Sequence, residues 1–465
     1  MKRRAAPAAG AAGSPKAFGS RWLALRLRAL VGPLAGARFC LAFSGGADST
    51  ALLAAMAALR ARHRLQLRAL HVNHQLQSAA GAMARAARAL ARRHGVACTV
   101  LRAPVRPVRG ESPEALARTT RYAALHANLR AGEWLLLAQH QDDQVETLLL
   151  QLLRGSGVAG LAAMPARAGI LLRPLLDVAH AQLVDYLRRG ATGWTEDPSN
   201  ADERFDRNYL RRRVLPLLRA RWPALGATLG RSAALAAEAQ GLLAEQADAS
   251  LLPAWDGAAL RVSVLRRLTA PQRRNALRRW LDLQGLPMPD QRRLQEIAGP
   301  VLNARLDAQP HVRWIGGEVR RHGDCLYAAA RSAAPPAAAD LSPGALQARS
   351  WRWRRERRLP LAGGAWLELC PDPHGGLLAR ALPERLQVAF RSPDGRVAGQ
   401  PGGRRLKRVL QSARLPPWSR GDVPLLYARG RLIAIGDQWQ APEVRAVSAG
   451  RASRRLRLRW HATER

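Results

Sequence analysis

A short segment rich in glycine and serine carries the clearest chemical signal in the sequence. Residues 44–49 read Ser-Gly-Gly-Ala-Asp-Ser. They follow an apolar run of strand length, residues 38–43, and precede an unbroken run of helix formers, residues 50–59. Adjacent glycines let a ligand approach the main chain, and the loop N–H groups converge at the positive end of a helix. The pattern predicts a strand–loop–helix site for phosphate, with the Ser44 and Ser49 hydroxyls as further donors.

The spacing differs from that of a Walker loop, because no lysine follows the glycines. The hexapeptide resembles instead the PP-loop of the ATP pyrophosphatases, which split ATP between its α and β phosphates. That resemblance implies ATP as a substrate, Mg²⁺ near Asp48, and six ATP-binding residues: Ser44, Gly45, Gly46, Ala47, Asp48 and Ser49. The structural alternative is a glycine turn before a helix, with Asp48 as an acid in the first helical turn.

The composition indicates a globular protein with a polyanionic partner. The chain has 465 residues, enough for about two to four domains, and its 48% hydrophobic content supports buried cores. Its net charge is +40, and only Lys2, Lys16 and Lys407 among its 74 basic residues are lysines. A coding bias explains the preference for arginine over lysine, but not the excess of base over acid. RNA or DNA is therefore the expected partner.

The cysteine pattern argues against disulfides and metal clusters. Four cysteines are scattered along the chain: Cys40, Cys98, Cys325 and Cys370. None forms a C-x-x-C pair, so no structural zinc and no iron–sulfur cluster are expected. His71 and His74 lie three apart on a predicted strand and would point to opposite faces, which disfavours a zinc pair.

The sequence predicts a cytoplasmic location without a membrane partner. It has no stretch of about 18 apolar residues, the length that a membrane-spanning helix needs. Residues 1–35 read as a basic tail and a lead-in helix, and they lack the compact apolar core of a signal peptide.

Alternating strand and helix patterns predict an α/β fold with a doubly wound parallel sheet. Further strands are expected at 65–72, 96–101 and 134–138, with helices between them. Ligands bind at the carboxyl ends of the strands in such sheets. The polar residues that follow the strands are therefore site candidates.

Two of these strand ends carry dense polar clusters, at residues 71–74 and 139–147. Asp143 and Glu146 are three apart in the first turn of the next helix, and so share one face. Two carboxylates there can hold a cationic amine or a magnesium ion, or can simply complement the helix dipole.

A series of motifs over residues 36–216 then resembles one enzyme family. In chain order the motifs are SGGADS, HVNHQL, EALARTTRY, HQDDQVET, LLRGSGVAGL, RPLL and EDPSN followed by RNYLR. This series is similar to bacterial tRNA(Ile)-lysidine synthase. Members of that family adenylate C2 of the wobble cytidine in a CAU anticodon, and the ε-amine of free lysine then displaces AMP.

The resemblance implies roles for particular residues. The implied catalytic set is Asp48, Asp143, Glu146, Arg118 and Arg207. Asp143 and Glu146 would bind the lysine ammonium, and Asp48 would lie near Mg²⁺. Arg118 and Arg207 are assigned to neutralising phosphate or the lysine carboxylate. The implied partners are tRNA(Ile) with a CAU anticodon and free L-lysine, and a homodimer is compatible with the sequence.

Two positions depart from the family pattern. Asn73 stands where the family more often has aspartate, and Gln77 stands where it has a basic residue. Both lie outside the phosphate loop, so they bear on adenine or ribose contacts around residues 71–74 and not on the reaction class.

The rest of the chain suggests two RNA-binding domains. Residues 217–331 form a mainly helical middle domain with a basic helix at 272–283, which is either a solvated face or an RNA contact. A linker at 332–344 precedes a small α+β C-terminal domain at 345–465. By the resemblance, six residues of that last domain would clamp phosphate and stack on a base: Arg404, Arg405, Lys407, Arg408, Trp418 and Arg420.

Three other functions remain as alternatives. A tRNA thiolase with the same loop normally uses paired cysteines, which this chain lacks. Amide-forming synthetases for GMP or NAD share the loop but leave the basic C-terminal domain unexplained. A non-catalytic, arginine-rich RNA-binding factor explains the charge but not the phosphate loop. Release of pyrophosphate from ATP in the presence of tRNA distinguishes the last alternative from an enzyme.

Overall fold

The computed structural model describes most of the chain. The described residues are 17–73, 80–104, 113–196, 202–255, 257, 259–330, 348–361, 365–372, 376–392, 397, 404–412, 416–421, 423–444 and 455–461. Several predicted features lie outside the described residues: the tail at 1–16, His74, Gln77, the linker at 332–344, and the side chains of Arg404 and Arg405.

The chain divides into two compact units, residues 1–247 and 248–465. The helices of the first unit are α1 (Ser20–Val31), α2 (Ala47–His63), α3 (Ala80–Arg93), α4 (Pro113–Ala127), α5 (Gln141–Leu153), α6 (Val158–Leu161), α7 (His180–Arg189), α8 (Asp206–Tyr209), α9 (Leu215–Arg221) and α10 (Leu225–Leu251), whose last residues belong to the second unit. A π-helical turn, Leu210–Val214, separates α8 from α9. The strands are β1 (Arg38–Ala42), β2 (Gln66–Asn73), β3 (Ala97–Arg102), β4 (Glu133–Leu136), β5 (Arg167–Ala168) and β6 (Leu171–Leu172).

The six strands form one sheet in the order β3-β2-β1-β4-β6-β5. All neighbouring strands are parallel except β5 and β6, which form a short antiparallel edge. The chain moves outward from β1 to β2 and β3, and then returns to place β4 on the other side of β1. The carboxyl ends of β1 and β4 therefore open side by side at the topological switch point, where such sheets bind ligands.

Strand β1 shows why the sheet is covered on both faces. Phe39 and Leu41 have no solvent exposure and belong to the core that packs under α1, α2 and α7. Cys40 points to the opposite face, where it packs with residues such as Leu125 of α4. A strand buried on both sides reads as a continuous apolar run, as residues 38–43 do. The prediction of a doubly wound parallel sheet is confirmed.

The second unit begins with three helices and a small sheet. The helices are α11 (Val262–Arg266), α12 (Ala270–Leu283) and α13 (Gln291–Glu296). The strands are β7 (Leu260–Arg261), β8 (His311–Trp314), β9 (Gly317–His322) and β10 (Cys325–Ala330), in the order β7-β10-β9-β8. These elements share a core that includes the fully buried Trp280. The helical middle region is confirmed, and the structure adds an antiparallel sheet that no sequence pattern had indicated.

The C-terminal region contains two antiparallel sheets and one longer helix. Its strands are β11 (Arg349–Trp351), β12 (Arg358–Pro360), β13 (Trp366–Pro371), β14 (Leu377–Leu378), β15 (Leu386–Ala389), β16 (Leu425–Ala428), β17 (Arg431–Ile435), β18 (Trp439–Gln440) and β19 (Arg455–His461), with α14 at Arg404–Ser412. The sheet orders are β11-β15-β16-β17-β18 and β12-β13-β19-β14. The α+β class predicted for this region is confirmed.

None of the helices in the described part of the chain is both long enough and apolar enough to cross a lipid bilayer.

A buried ion pair lies near the amino ends of β2 and β4, at the end of the first sheet opposite the switch point. Arg68 of β2 donates from Nε and NH2 to both carboxylate oxygens of Glu133 at the start of β4, at 2.7 and 2.6 Å. Their side chains are only 14% and 6% exposed. The hydrogen bonds from Arg68, opposed by burial, lower the pKa of Glu133. Breaking such a pair leaves a buried charge without its partner.

We expect Glu133→Gln to lower the free energy of unfolding by about 3 kcal/mol at pH 7, measured by urea denaturation. Because the pKa of the folded-state carboxyl is lowered, the pair stabilises the fold above roughly pH 4 and this contribution is lost as the pH falls through the lowered pKa. The difference between wild type and variant should therefore shrink at pH 3. An equal difference at pH 7 and pH 3 would contradict the assignment.

Candidate active site

The turn between β1 and α2 forms the floor of the site. Gly45 has a φ of +89°, a backbone conformation that L side chains rarely adopt. Gly46 caps α2 in an extended conformation. The Gly45 and Gly46 N–H groups donate to the hydroxyls of Ser49 and Ser44, at 3.2 and 3.3 Å. These N–H groups are partnered by side-chain hydroxyls and not by main-chain carbonyls, so an incoming phosphate can take them over.

Two neighbours hold this turn from outside. The Thr195 N–H donates to the Gly45 carbonyl oxygen at 2.9 Å, and the Thr50 hydroxyl donates to the same oxygen at 3.2 Å. A Cβ built on Gly45 would lie 3.4 Å from the Cβ of Ala87 on α3. Thr195 is therefore part of the loop's support.

Asp48, in the first turn of α2, is held by two histidines. Its Oδ1 lies 2.7 Å from His180 Nδ1, and its Oδ2 lies 3.4 Å from His140 Nε2. Burial alone would raise the pKa of Asp48, but the hydrogen bonds from His140 and His180 lower it well below the usual range. Asp48 is therefore ionised at neutral pH.

The same three side chains are the group of candidate metal ligands among the described residues, with their ligand atoms within 4.8 Å of one another. Mg²⁺ prefers oxygen ligands and is often held by one or two carboxylates together with substrate phosphates. Imidazole nitrogens suit transition metals better. The donor set therefore fits Mg²⁺ through the Asp48 carboxylate alone, with the remaining ligands coming from phosphate and water.

His140 connects the phosphate loop to the carboxylates of α5. Its Nε2 is 3.4 Å from Asp48 and 3.6 Å from Asp143. Its Nδ1 accepts a hydrogen bond from the Asp142 N–H at 3.2 Å. Burial opposes the charge on His140, but the hydrogen bond with Asp48 and the nearby acids raise its pKa to about 9. While Nδ1 accepts from Asp142, the ring carries its hydrogen on Nε2, toward Asp48, so His140 acts here as a donor and not as a metal ligand.

The predicted carboxylate pair comes together as the spacing indicated, and it binds an arginine that the sequence had not singled out. Arg211 Nε and NH2 lie 2.6 and 3.0 Å from the carboxylate oxygens of Glu146, and NH2 lies 3.3 Å from Asp143 Oδ1. Glu146 has no solvent exposure. Its pKa is raised by burial, and Arg211 opposes that shift.

The two predicted arginines occupy different places. Arg207 NH2 donates to the Thr147 hydroxyl at 2.8 Å, and Arg207 Nε lies 3.6 Å from Glu146, so Arg207 borders the carboxylate pair. Arg118 lies over the ring of Tyr122, with 5.3 Å between its guanidinium carbon and the ring centroid. The roles of both residues toward phosphate stay predictions.

In the C-terminal region, α14 presents basic residues to solvent. Lys407 and Arg408 are exposed, while Leu406 and Leu410 are buried beneath the helix. Such a helix can offer cations to RNA while packing on its own domain. The predicted RNA contacts of α14 are not tested by this arrangement.

Trp418 is already in contact with side chains of the middle sheet. The rings of Tyr327 and His322 meet it edge-on, at 5.8 and 6.1 Å between ring centroids. The guanidinium of Arg320 lies 5.2 Å from its ring centroid. Arg420 is half-buried, and burial together with nearby Arg391 lowers its pKa. Base stacking by Trp418 stays a prediction.

The geometry defines a class of protein: an α/β domain with a PP-loop at the switch point of its parallel sheet. Comparison with known families agrees. Residues 21–218 match a PP-loop domain, residues 260–327 match a TilS substrate-binding domain, and residues 386–460 match a TilS substrate C-terminal domain.

Similar full-length proteins carry one name. The chain is 42% identical over 422 residues to tRNA(Ile)-lysidine synthase of Methylococcus capsulatus, covering 88% of this chain and 93% of that protein. It is 42% identical over 417 residues to the protein of the same name from Alkalilimnicola ehrlichii, covering 88% and 91%. The Coxiella burnetii protein is 38% identical over 406 residues, covering 85% and 88%. The chain belongs to the tRNA(Ile)-lysidine synthase family, as the motifs predicted, and membership confirms the expected class, a ligase that forms a carbon–nitrogen bond.

Substitution of Gly45 separates the binding role of the turn from its contribution to stability. Gly45→Ala and Gly36→Ala both place a side chain at positive φ, so each should cost about 1 kcal/mol of stability. A Cβ at Gly36 meets nothing within 4 Å, and that residue lies outside the phosphate loop. We expect only Gly45→Ala to weaken ATP binding, by about tenfold, in a calorimetric titration. Equal ATP affinity in the two variants would argue against the turn as the phosphate site.

Proposed function

We propose that this protein ligates free lysine to C2 of the wobble cytidine of tRNA(Ile) with a CAU anticodon, through an adenylated tRNA intermediate. In the first step the cytidine O2 attacks the α-phosphorus of ATP, and pyrophosphate leaves. In the second step the lysine ε-amine adds to C2, AMP leaves with O2, and the nitrogen loses a proton. The products are lysidine, AMP and pyrophosphate.

The observation that carries the proposal is the position of His140. Its Nε2 lies within 3.6 Å of both Asp48 on the phosphate loop and Asp143 of the carboxylate pair. A site for the triphosphate and a site for an amine are therefore adjacent, as activation followed by displacement requires. Family membership supports tRNA(Ile) as the RNA, and lysine as the amine is part of the proposal.

Each part of the site has a role in this proposal. The N–H groups of Gly45 and Gly46, with the Ser44 and Ser49 hydroxyls, bind the pyrophosphate end of ATP and stabilise the charge that leaves in the first step. Mg²⁺ bound through Asp48 would neutralise phosphate charge during that step.

The carboxylate pair has the second task. Asp143 and Glu146 bind the lysine ammonium and position it for attack. An amine attacks only in its neutral form, so one carboxylate first accepts a proton from the bound ammonium, and the nitrogen loses its second proton after the bond to C2 has formed. The raised pKa of buried Glu146 suits it to that exchange better than an ordinary surface carboxylate.

The thiolase alternative is disfavoured by the environment of Cys40. Burial raises the pKa of its thiol to about 12, so the thiol stays protonated at neutral pH. Sulfur transfer uses a thiolate as nucleophile or ligand.

The direct test is release of pyrophosphate from ATP by the full chain with unmodified tRNA(Ile) carrying a CAU anticodon. We expect pyrophosphate to appear with or without lysine, and lysidine to form only when lysine is added. A transcript that differs only in having a UAU anticodon is the control and should give neither product. If the CAU transcript also yields no pyrophosphate, a non-catalytic RNA-binding protein is the better description.

Asp143→Asn tests the division of labour between the two steps. The asparagine amide keeps an oxygen that can accept a hydrogen bond from the main-chain N–H of His140 at the start of α5. It removes the negative charge that would bind the ammonium. Lysine transfer should fall by about 100-fold, the scale of one lost charged hydrogen bond, while pyrophosphate release falls far less. Asp142→Asn is a matched control, because Asp142 is the neighbouring acid and pairs with Arg219. Equal loss of both steps in Asp143→Asn would exclude an amine-binding role.

A further inference from the structure

The carboxylate pair assigned to the substrate amine already holds a cation of the protein itself. Arg211 places two nitrogens on the two oxygens of Glu146, at 2.6 and 3.0 Å, and extends NH2 to Asp143 at 3.3 Å. Two charged hydrogen bonds to one carboxylate form the strong, bidentate type of contact. Arg211 thus occupies the carboxylate oxygens that an ammonium would bind.

The charges around the pair leave no room for both cations at once. Asp143 and Glu146 supply two negative charges. Arg211 contacts both, and Arg207 lies 3.6 Å from Glu146. An ammonium placed against the same oxygens would be within a few ångströms of the Arg211 guanidinium, and like charges at that distance in a buried site repel strongly. One cation must therefore leave before the other can bind.

We infer that the Arg211 guanidinium and the ammonium group of the substrate are alternative occupants of one carboxylate pair, so that Arg211 closes the amine site of the free enzyme. This inference rests on the proposed function, because it takes Asp143 and Glu146 as the amine site. Its consequence is that the enzyme without RNA has a low affinity for lysine, and that the amine enters when Arg211 is drawn away.

The surroundings of Arg211 allow it to leave. Its side chain is 42% exposed, whereas the Glu146 carboxylate that it covers is fully buried. Arg211 lies in the π-helical turn Leu210–Val214, and such turns occur often at functional sites. Arg207 remains beside Glu146 after the exchange, so the buried carboxylate keeps one cation 3.6 Å away.

The ion pairs of the next two residues along the chain indicate which kind of group would bind Arg211 once it leaves the carboxylate pair. Arg212 and Arg213, next along the turn, are both held by Glu203, at 3.5 and 3.0 Å. Arg211 is the member of this run that points to the site instead. A phosphate group of the RNA or of ATP can replace the carboxylates as its partner, since guanidinium binds both anions in the same bidentate way.

The test is lysine binding to the full chain without tRNA or ATP, measured by calorimetry. In Arg211→Met we expect lysine to bind at least tenfold more tightly than in wild type. Arg212→Met, on the same turn but held by Glu203, is the matched control and should bind lysine as wild type does. Norleucine, which lacks the ammonium of the side chain, should gain no affinity for Arg211→Met.

A second variant guards against loss of folding. Arg211→Gln keeps a polar side chain at the position but removes the guanidinium charge, so it should show the same gain if Arg211→Met does not fold. Addition of Asp143→Asn to either variant should cancel the gain. If lysine affinity is unchanged or lower in the folded Arg211 variants, Arg211 is a fixed structural partner of Glu146 and the inference is wrong.

Pyrophosphate release by the wild-type enzyme keeps this result separate from the proposed function. Release with tRNA, together with no gain in lysine affinity, would overturn the exchange and leave the proposed function intact. Absence of release would overturn the proposed function and the exchange that rests on it.

Discussion

The candidate active site depends on two hydrogen bonds in the first turn of α5. The His140 N–H donates to the Asp143 carboxylate at 3.1 Å, and the Asp142 N–H donates to His140 Nδ1 at 3.2 Å. This reciprocal cap fixes the imidazole and the carboxylate relative to each other. Because His140 also faces Asp48, the cap sets the distance between the phosphate loop and the carboxylate pair. A shift of an ångström here would change the distance between the phosphate loop and the carboxylate pair.

The cap can act in this way only because the sheet brings its two strands together. Strands β1 and β4 are 91 or more positions apart along the chain but pair in parallel, Arg38 opposite Glu133. Their carboxyl ends release the phosphate loop and α5 at the same edge. The Arg68–Glu133 pair lies at the opposite, amino end, where it links β2 to β4 across β1. The fold thus places this buried ion pair at one end of the strands and the polar groups of the candidate site at the other.

The sequence predicted the elements and the local motifs, because these depend on periodicity and on neighbours a few residues apart. The phosphate loop, the parallel sheet and the pairing of Asp143 with Glu146 all follow from such short-range signals. His180 was missed, and Arg211 was given no role although it ends the RNYLR motif, because their contacts are distant along the chain. His180 reaches Asp48 across 132 positions, and Arg211 reaches Glu146 across 65. A single histidine at the start of a helix carries no local signal. Arg211 did have one, since it follows Arg207 by one helical turn and so shares its face.

The basic residues of the chain do not all have the same role, because some of them bind main-chain carbonyls within the fold. Arg321 is 1% exposed, and its NH1 donates to the carbonyls of Val301, Leu302 and Ala304 at 2.8 to 2.9 Å. Arg273 likewise donates to four main-chain carbonyls. These arginines hold the middle domain together, so they are not available to grip an RNA phosphate directly. Carbonyl oxygens, however, satisfy hydrogen bonds without cancelling charge. These guanidiniums therefore still add to the positive field of the protein, whereas exposed cations such as Lys407 and Arg408 are placed where a phosphate can reach them.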